Sequence, residues 1–155
     1  LYPGTFDPVT NGHIDLIERS KDIFDKVIVG VATGDDKTPL FTPEERVILL
    51  QEATRHLSGI SVECFEGLLV DYLKQKKMRV VVRGLRAISD FEYEFQMALT
   101  NRQMLEEMKT IFLMPSQEYI FLSSRVVKTV AQLGGDVSAW VPPVVNAALK
   151  KKYSK

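Results

Sequence analysis

The chain has 155 residues, a size suited to one domain, and 45% of them are hydrophobic, enough to bury a core. Its 20 basic and 20 acidic residues cancel, so no global field can hold a nucleic acid or an acidic membrane, and any anionic ligand must be met by local groups. Cys64 is the only cysteine, which excludes an intrachain disulfide and a cysteine zinc cluster, and no apolar run of about 18 residues or secretory leader pattern is present; the expectation is a cytoplasmic protein that neither spans a membrane nor is secreted.

The chain begins at Leu1 rather than Met, directly before a turn, so its opening strand, ending in Leu1-Tyr2, is expected to have lost its first residues. Pro3-Gly4-Thr5-Phe6-Asp7-Pro8 is turn chemistry, and Ile14, Leu16, Ile17, Ile23 and Phe24 then recur at helical spacing. Val27-Ile28-Val29-Gly30-Val31-Ala32 is a continuous run rich in β-branched residues, the pattern of a central strand covered on both faces. Thr42-Pro43-Glu44-Glu45 sets a capping residue before a proline and a glutamate, which marks the start of a helix carrying Val47, Ile48, Leu49 and Leu50. Strands near Ser61 to Phe65, Val80 to Val82 and Thr110 to Leu113 alternate with helices near Leu68 to Lys76 and Phe91 to Met108. Asp90 is placed to cap the second of these helices. A helix near Ser124 to Leu133 stops at Gly134-Gly135, and Pro142-Pro143 opens a last one ending in Lys150-Lys151-Lys152. The alternation predicts an α/β fold: a single domain over residues 1–155, with a Rossmann-like, doubly wound parallel sheet of about five strands and helices on both faces. Ligands of such a sheet sit outside the carboxyl ends of its strands.

Four loops carry the chemistry. Gly4 to His13 joins the first strand to the first helix, where glycines permit close approach and a helix amino end offers unpaired N–H groups to phosphate. Arg83-Gly84-Leu85-Arg86 leaves a buried strand with two guanidiniums suited to phosphate oxygens. Lys37 lies just beyond the second strand, and Ser123-Ser124-Arg125 places hydroxyls at a helix start. Each also has a plain structural counterpart: a glycine-rich turn, a pair of solvated arginines, a solvated lysine and a serine cap.

Thr10-Asn11-Gly12-His13 resembles the (T/H)xGH signature of the nucleotidyltransferase superfamily, and the longer segment from Arg83 through Asp90-Phe91-Glu92-Tyr93-Glu94 is similar to that of the phosphopantetheine adenylyltransferases. The likeness spans nearly the whole chain. It implies transfer of the adenylyl group of ATP to 4'-phosphopantetheine, giving dephospho-coenzyme A and pyrophosphate. By this resemblance His13 binds ATP and stabilises the transition state, with Lys37 and Arg86 also catalytic. Thr5, Phe6, Gly84, Leu85, Arg86, Glu94 and the stretch Tyr119, Ile120, Phe121, Leu122, Ser123, Ser124 and Arg125 would contact ATP. Thr5, Lys37, Leu69 and Arg83 would meet the second substrate. Arg125 departs from the family, which usually carries serine or threonine there, and Tyr119 stands at a position whose aromatic side chain varies.

The nucleophile implied is an already anionic phosphate oxygen, so no general base and no covalent intermediate are required. Alignment of two polyanions and relief of their repulsion suit lysine, arginine, histidine and Mg2+, the ion being carried by the triphosphate rather than by a protein cage. The resemblance also implies a homohexamer, with Trp140, Val141 and Pro142 either in its interface or in the core. Two other readings stand beside this one: the same chemistry on nicotinate mononucleotide or glycerol phosphate, and a nucleotide-binding regulator that has lost catalysis.

Overall fold

The computed structural model describes residues 1–34 and 39–154. In chain order the elements are β1 (Tyr2–Gly4), α1 (Asn11–Lys21), β2 (Val27–Thr33), α2 (Pro43–Thr54), β3 (Ile60–Glu66) and α3 (Leu69–Gln75). They continue with β4 (Val80–Gly84), α4 (Ile88–Met104), β5 (Lys109–Leu113), a short 3-10 turn (Gln117–Tyr119), α5 (Ser124–Gln132) and α6 (Pro143–Tyr153).

All strand pairs are parallel. β1 lies on β2 with Tyr2 opposite Val29, β2 lies on β3 from Val27–Ile60 to Thr33–Glu66, and β4 lies on β5 from Val80–Lys109 to Gly84–Leu113. These ladders form a three-stranded and a two-stranded sheet. Two further bonds close the gap: the Leu1 amino group donates to the Val80 carbonyl at 3.0 Å, and Val82 N–H donates to the Leu1 carbonyl at 2.8 Å. β4 therefore runs beside the start of β1, and the strands follow the order β3-β2-β1-β4-β5. The chain switches direction of travel across the sheet between β1 and β4, so the crevice expected of such a fold opens beyond Gly4 and Gly84.

The apolar run of β2 is divided between two cores, as its composition predicts. Val27, Val29 and Val31 join Leu16 and Ile17 of α1, Leu49 and Leu50 of α2, Val127 of α5 and Val145 and Leu149 of α6. Ile28 and Ala32 face the other side, with Phe65, Val70, Leu73 and Val81. Val141 belongs to the first core and Trp140 packs against it; the Trp140 carbonyl also accepts Asn11 N–H at 2.8 Å, tying this segment to the start of α1.

α1 ends at Lys21, short of Ile23 and Phe24, and both ends of α4 differ from the sequence reading. α4 begins at Ile88 behind Ala87, which offers no side-chain cap, because Asp90 lies within the first turn and accepts from Arg86 N–H and Nε. The same helix ends at Met104 rather than Met108, since Met108 turns back into the second core just before β5. The helix start at Thr42 is as expected, with Glu45 N–H donating to Thr42 Oγ1 and Glu45 Oε2 accepting from Thr42 N–H. Among the described residues no helix is long and apolar enough to cross a membrane.

Candidate active site

His13 sits in the first turn of α1, and its ring is fixed by Thr10, the residue that caps that helix. Thr10 N–H donates to His13 Nδ1 at 3.0 Å. A backbone N–H can only donate, so Nδ1 is the unprotonated nitrogen and the neutral ring carries its proton on Nε2. Burial, then the Arg86 and Arg83 guanidiniums, lower the pKa of His13 from 6.5 to about 4. The ring is therefore a neutral hydrogen-bond donor at physiological pH. Phe6 supports it edge-on, with centroids 5.1 Å apart, and Phe6 itself rests edge-on against Tyr2. Phe6 holds a left-handed backbone with φ of 52°, a conformation uncommon for a bulky residue and characteristic of a site whose geometry the surroundings impose.

These residues form one wall of a cavity of about 620 Å³, which is also lined by Thr5, Arg46, Arg83, Gly84, Arg86, Glu94, Tyr119, Ser123, Ser124 and Lys128. Its charged groups are mostly cationic, and both of its carboxylates are engaged. Glu94 takes a bidentate ion pair from Arg83 at 2.7 and 2.5 Å, while Arg83 Nη1 donates to the Pro3 carbonyl at 2.7 Å. Burial alone would lower the pKa of Arg83, but the Glu94 hydrogen bonds raise it instead. Asp7, 5% exposed, receives Lys128 Nζ at 2.5 Å and the N–H groups of Leu40 and Phe41 at 3.0 and 2.9 Å. Arg86 is held between Asp90 and the Leu122 carbonyl, which accepts Nη1 at 2.7 Å. Gly84 has a packing reason beyond ligand approach, since an added Cβ would lie 2.4 Å from Leu16 Cδ1.

A second cavity of about 510 Å³ adjoins the first and shares Pro3, Gly4, Thr5, Ala32, Arg83 and Glu94 with it. Its remaining wall is largely apolar, with Leu68, Leu69, Met97, Met104 and Met108, together with Asn101 as a polar group. Thr5, Arg83 and Glu94 thus stand where two chambers of different character meet.

The structure gathers most of the expected residues. Thr5, Phe6, His13, Arg83, Gly84, Arg86, Glu94, Tyr119, Leu122, Ser123 and Ser124 line the first cavity, and Leu69 lines the second. Leu85, whose N–H donates to the Leu113 carbonyl, and Ile120, Phe121 and Arg125 lie outside both linings. Phe121 meets the Trp140 ring edge-on at 5.9 Å. The two serine hydroxyls make structural bonds: Ser123 Oγ accepts from Val126 N–H, and Ser124 Oγ donates to the Pro8 carbonyl at 2.7 Å. Lys37 lies outside the described residues.

Sequence reasoning missed Asp7, Arg46 and Lys128. Arg46 is 3% exposed and donates to the carbonyls of Thr5 at 2.8 Å and Ala32 at 3.2 Å, tying α2 to the ends of β1 and β2. Its signal was present in the helical spacing of Arg46 with Leu49 and Leu50, which puts an arginine on the core-facing stripe.

Comparison with known proteins gives this arrangement its family. Residues 1–130 match the model of the family described as cytidylyltransferase-like. The phosphopantetheine adenylyltransferase of Thermodesulfovibrio yellowstonii is 53% identical, with 100% of this chain and 97% of that protein covered. The protein of the same name from Alkaliphilus metalliredigens is 52% identical over 98% and 97% of the two chains. Among solved structures, one described as a nicotinate-nucleotide adenylyltransferase from Vibrio parahaemolyticus superposes with a TM-score of 0.72 over 96% of this chain and 95% of that one; at 18% identity it speaks to the fold alone. The chain belongs to the phosphopantetheine adenylyltransferases, enzymes of the cytidylyltransferase-like nucleotidyltransferase group.

Proposed function

We propose that this chain, as one nucleotidyltransferase domain, transfers the adenylyl group of ATP to 4'-phosphopantetheine, giving dephospho-coenzyme A and pyrophosphate. The observation that carries this reading is the pair of joined chambers. One is cation-lined and faced by a neutral His13 donor, suiting a nucleoside triphosphate; the other is lined by leucine and methionine with Asn101, suiting a slender arm of methylenes and amides. Their shared residues Thr5 and Arg83 lie where two phosphate-bearing substrates would meet.

The acceptor phosphate is anionic at neutral pH, so direct in-line attack on the α-phosphorus of ATP requires no base from the protein and no covalent enzyme intermediate. The P–O bond to the acceptor forms as the bond to pyrophosphate breaks, and the electron pair leaves with pyrophosphate. His13 donates through Nε2 to charge developing on the α-phosphate, a preorganised contact that requires no proton transfer. Arg86 offers a fixed guanidinium to the phosphates, and Lys37, by its place after β2, would hold the acceptor phosphate. Mg2+ bound to the triphosphate would offset its charge. The residues fit an ion carried in this way, because Asp7 and Glu94 are already engaged by Lys128 and Arg83. We place this activity in a cytoplasmic homohexamer; an apolar face on α4, with Ile88 87% exposed beside Phe91 and Phe95, supports subunit contact through that helix.

The test is pyrophosphate release from ATP and Mg2+ with 4'-phosphopantetheine, nicotinate mononucleotide, glycerol phosphate or no acceptor. Turnover only with 4'-phosphopantetheine supports the reading. Turnover with another acceptor replaces the substrate, and ATP binding without release in any mixture favours a regulator.

A further inference from the structure

Tyr2 of β1 is only 5% exposed, and its ring is fully accounted for by packing against Phe6 at 5.4 Å and 81° in the first core. Its hydroxyl is not. Among the described residues the Tyr2 phenol has no hydrogen-bond partner, yet no fully buried side-chain oxygen is left unpaired. The hydroxyl therefore keeps its access through the larger cavity, whose wall Tyr2 forms. It lies beside the exit of β4, 3.9 Å from where a Cβ on Gly84 would stand. A phenylalanine would fill the same core space without stranding a donor, so packing gives no reason for the hydroxyl.

The charged groups whose fields reach this phenol are Arg83, Arg86, Glu94 and Asp15. Both acids already have partners, Glu94 in Arg83 and Asp15 in Ser116 and Arg19. Burial foremost pushes the Tyr2 pKa above its ordinary value, so the group is an O–H donor at neutral pH. A donor on the wall of a cavity that Arg83 and Arg86 also line, with the neighbouring carboxylates engaged, is complementary to an anionic oxygen supplied from that cavity.

We propose that Tyr2 is a substrate-binding residue whose phenol donates a hydrogen bond to a phosphate oxygen of a bound substrate. The inference rests on the adenylyl-transfer reading for the source of that phosphate, either ATP or the acceptor. Tyr2→Phe separates the sources because it removes one oxygen and leaves the ring contacts. The expected result is a fall in kcat/KM of about ten-fold for the substrate that receives the bond, the other changing little, with a Tm no lower than wild type. A raised KM for ATP assigns the bond to the triphosphate, and a raised KM for 4'-phosphopantetheine assigns it to the acceptor. Unchanged kinetics with both substrates, or activity lost in step with a lowered Tm, would overturn the proposal. Should the wild-type chain turn over neither substrate pair, the functional reading falls; calorimetric titration of both proteins with ATP and with inorganic phosphate then tests Tyr2 by itself. Weaker binding of either ligand to Tyr2→Phe would support the role, and equal affinities for both would overturn it.

Discussion

His13 receives the Thr10 N–H on Nδ1, so Nε2 is the nitrogen that carries the proton. On the proposed mechanism its replacement by alanine removes the donor to developing charge, and kcat should fall by roughly 10²–10³-fold with a smaller change in the KM for ATP, as steady-state kinetics would show. The lowered pKa has a second consequence. The folded value of about 4 lies below the ordinary 6.5, so the unfolded chain takes up this proton first as pH falls. The contribution of His13 to stability is level above pH 6.5, declines between 6.5 and about 4 and is level again below that, a total on the order of 3 kcal/mol. Urea midpoints at neutral pH and at pH near 4.5 should therefore converge in His13→Gln relative to wild type. At Gly84 the prediction concerns packing: Gly84→Ala brings a Cβ to within 2.4 Å of Leu16 Cδ1 and should cost about 1–3 kcal/mol, read from the same denaturation curves.

At the scale of elements, Asp7 is the staple of the site. Its carboxylate holds the segment before α2 through Leu40 and Phe41 and holds α5 through Lys128. Asp7→Ala leaves those N–H groups and the lysine without their acceptor, and should lower unfolding stability by about 3 kcal/mol, with the urea midpoint shifted and the slope retained. None of this could be read from Asp7 in its turn, because its partners lie more than thirty residues away. Local chemistry was legible: Thr42, Pro43 and Glu45 state a helix start by themselves, and the β-branched run of β2 states burial on both faces. The start of α4 was misread for a reason of the same kind, since Asp90 serves Arg86 instead of ending the helix. The buried role of Arg46 depends on carbonyls of β2 and of the loop after β1, contacts that only the tertiary fold creates.

At the scale of the whole molecule, the parallel alternation predicted the sheet, but the adjacency of β1 and β4 comes from the Leu1 bonds to Val80 and Val82 and is a non-local fact. That adjacency brings His13 and Arg83 into one crevice. Its division into two chambers was not visible in the sequence, because residues of the second wall come from α3, α4 and the approach to β5. The proposed hexamer is tested at the apolar face of α4. Ile88→Glu with Phe95→Glu should shift a hexamer to smaller species in sedimentation velocity while leaving the far-ultraviolet circular dichroism of the chain intact. The central claim is most directly tested by a single-turnover experiment with ATP labelled in its α-phosphate, mixed with Mg2+, 4'-phosphopantetheine and excess protein. The account predicts that the label passes to dephospho-coenzyme A with none retained covalently on the protein at any time. Label held on the chain before product forms, or no labelled dephospho-coenzyme A at all, would contradict it.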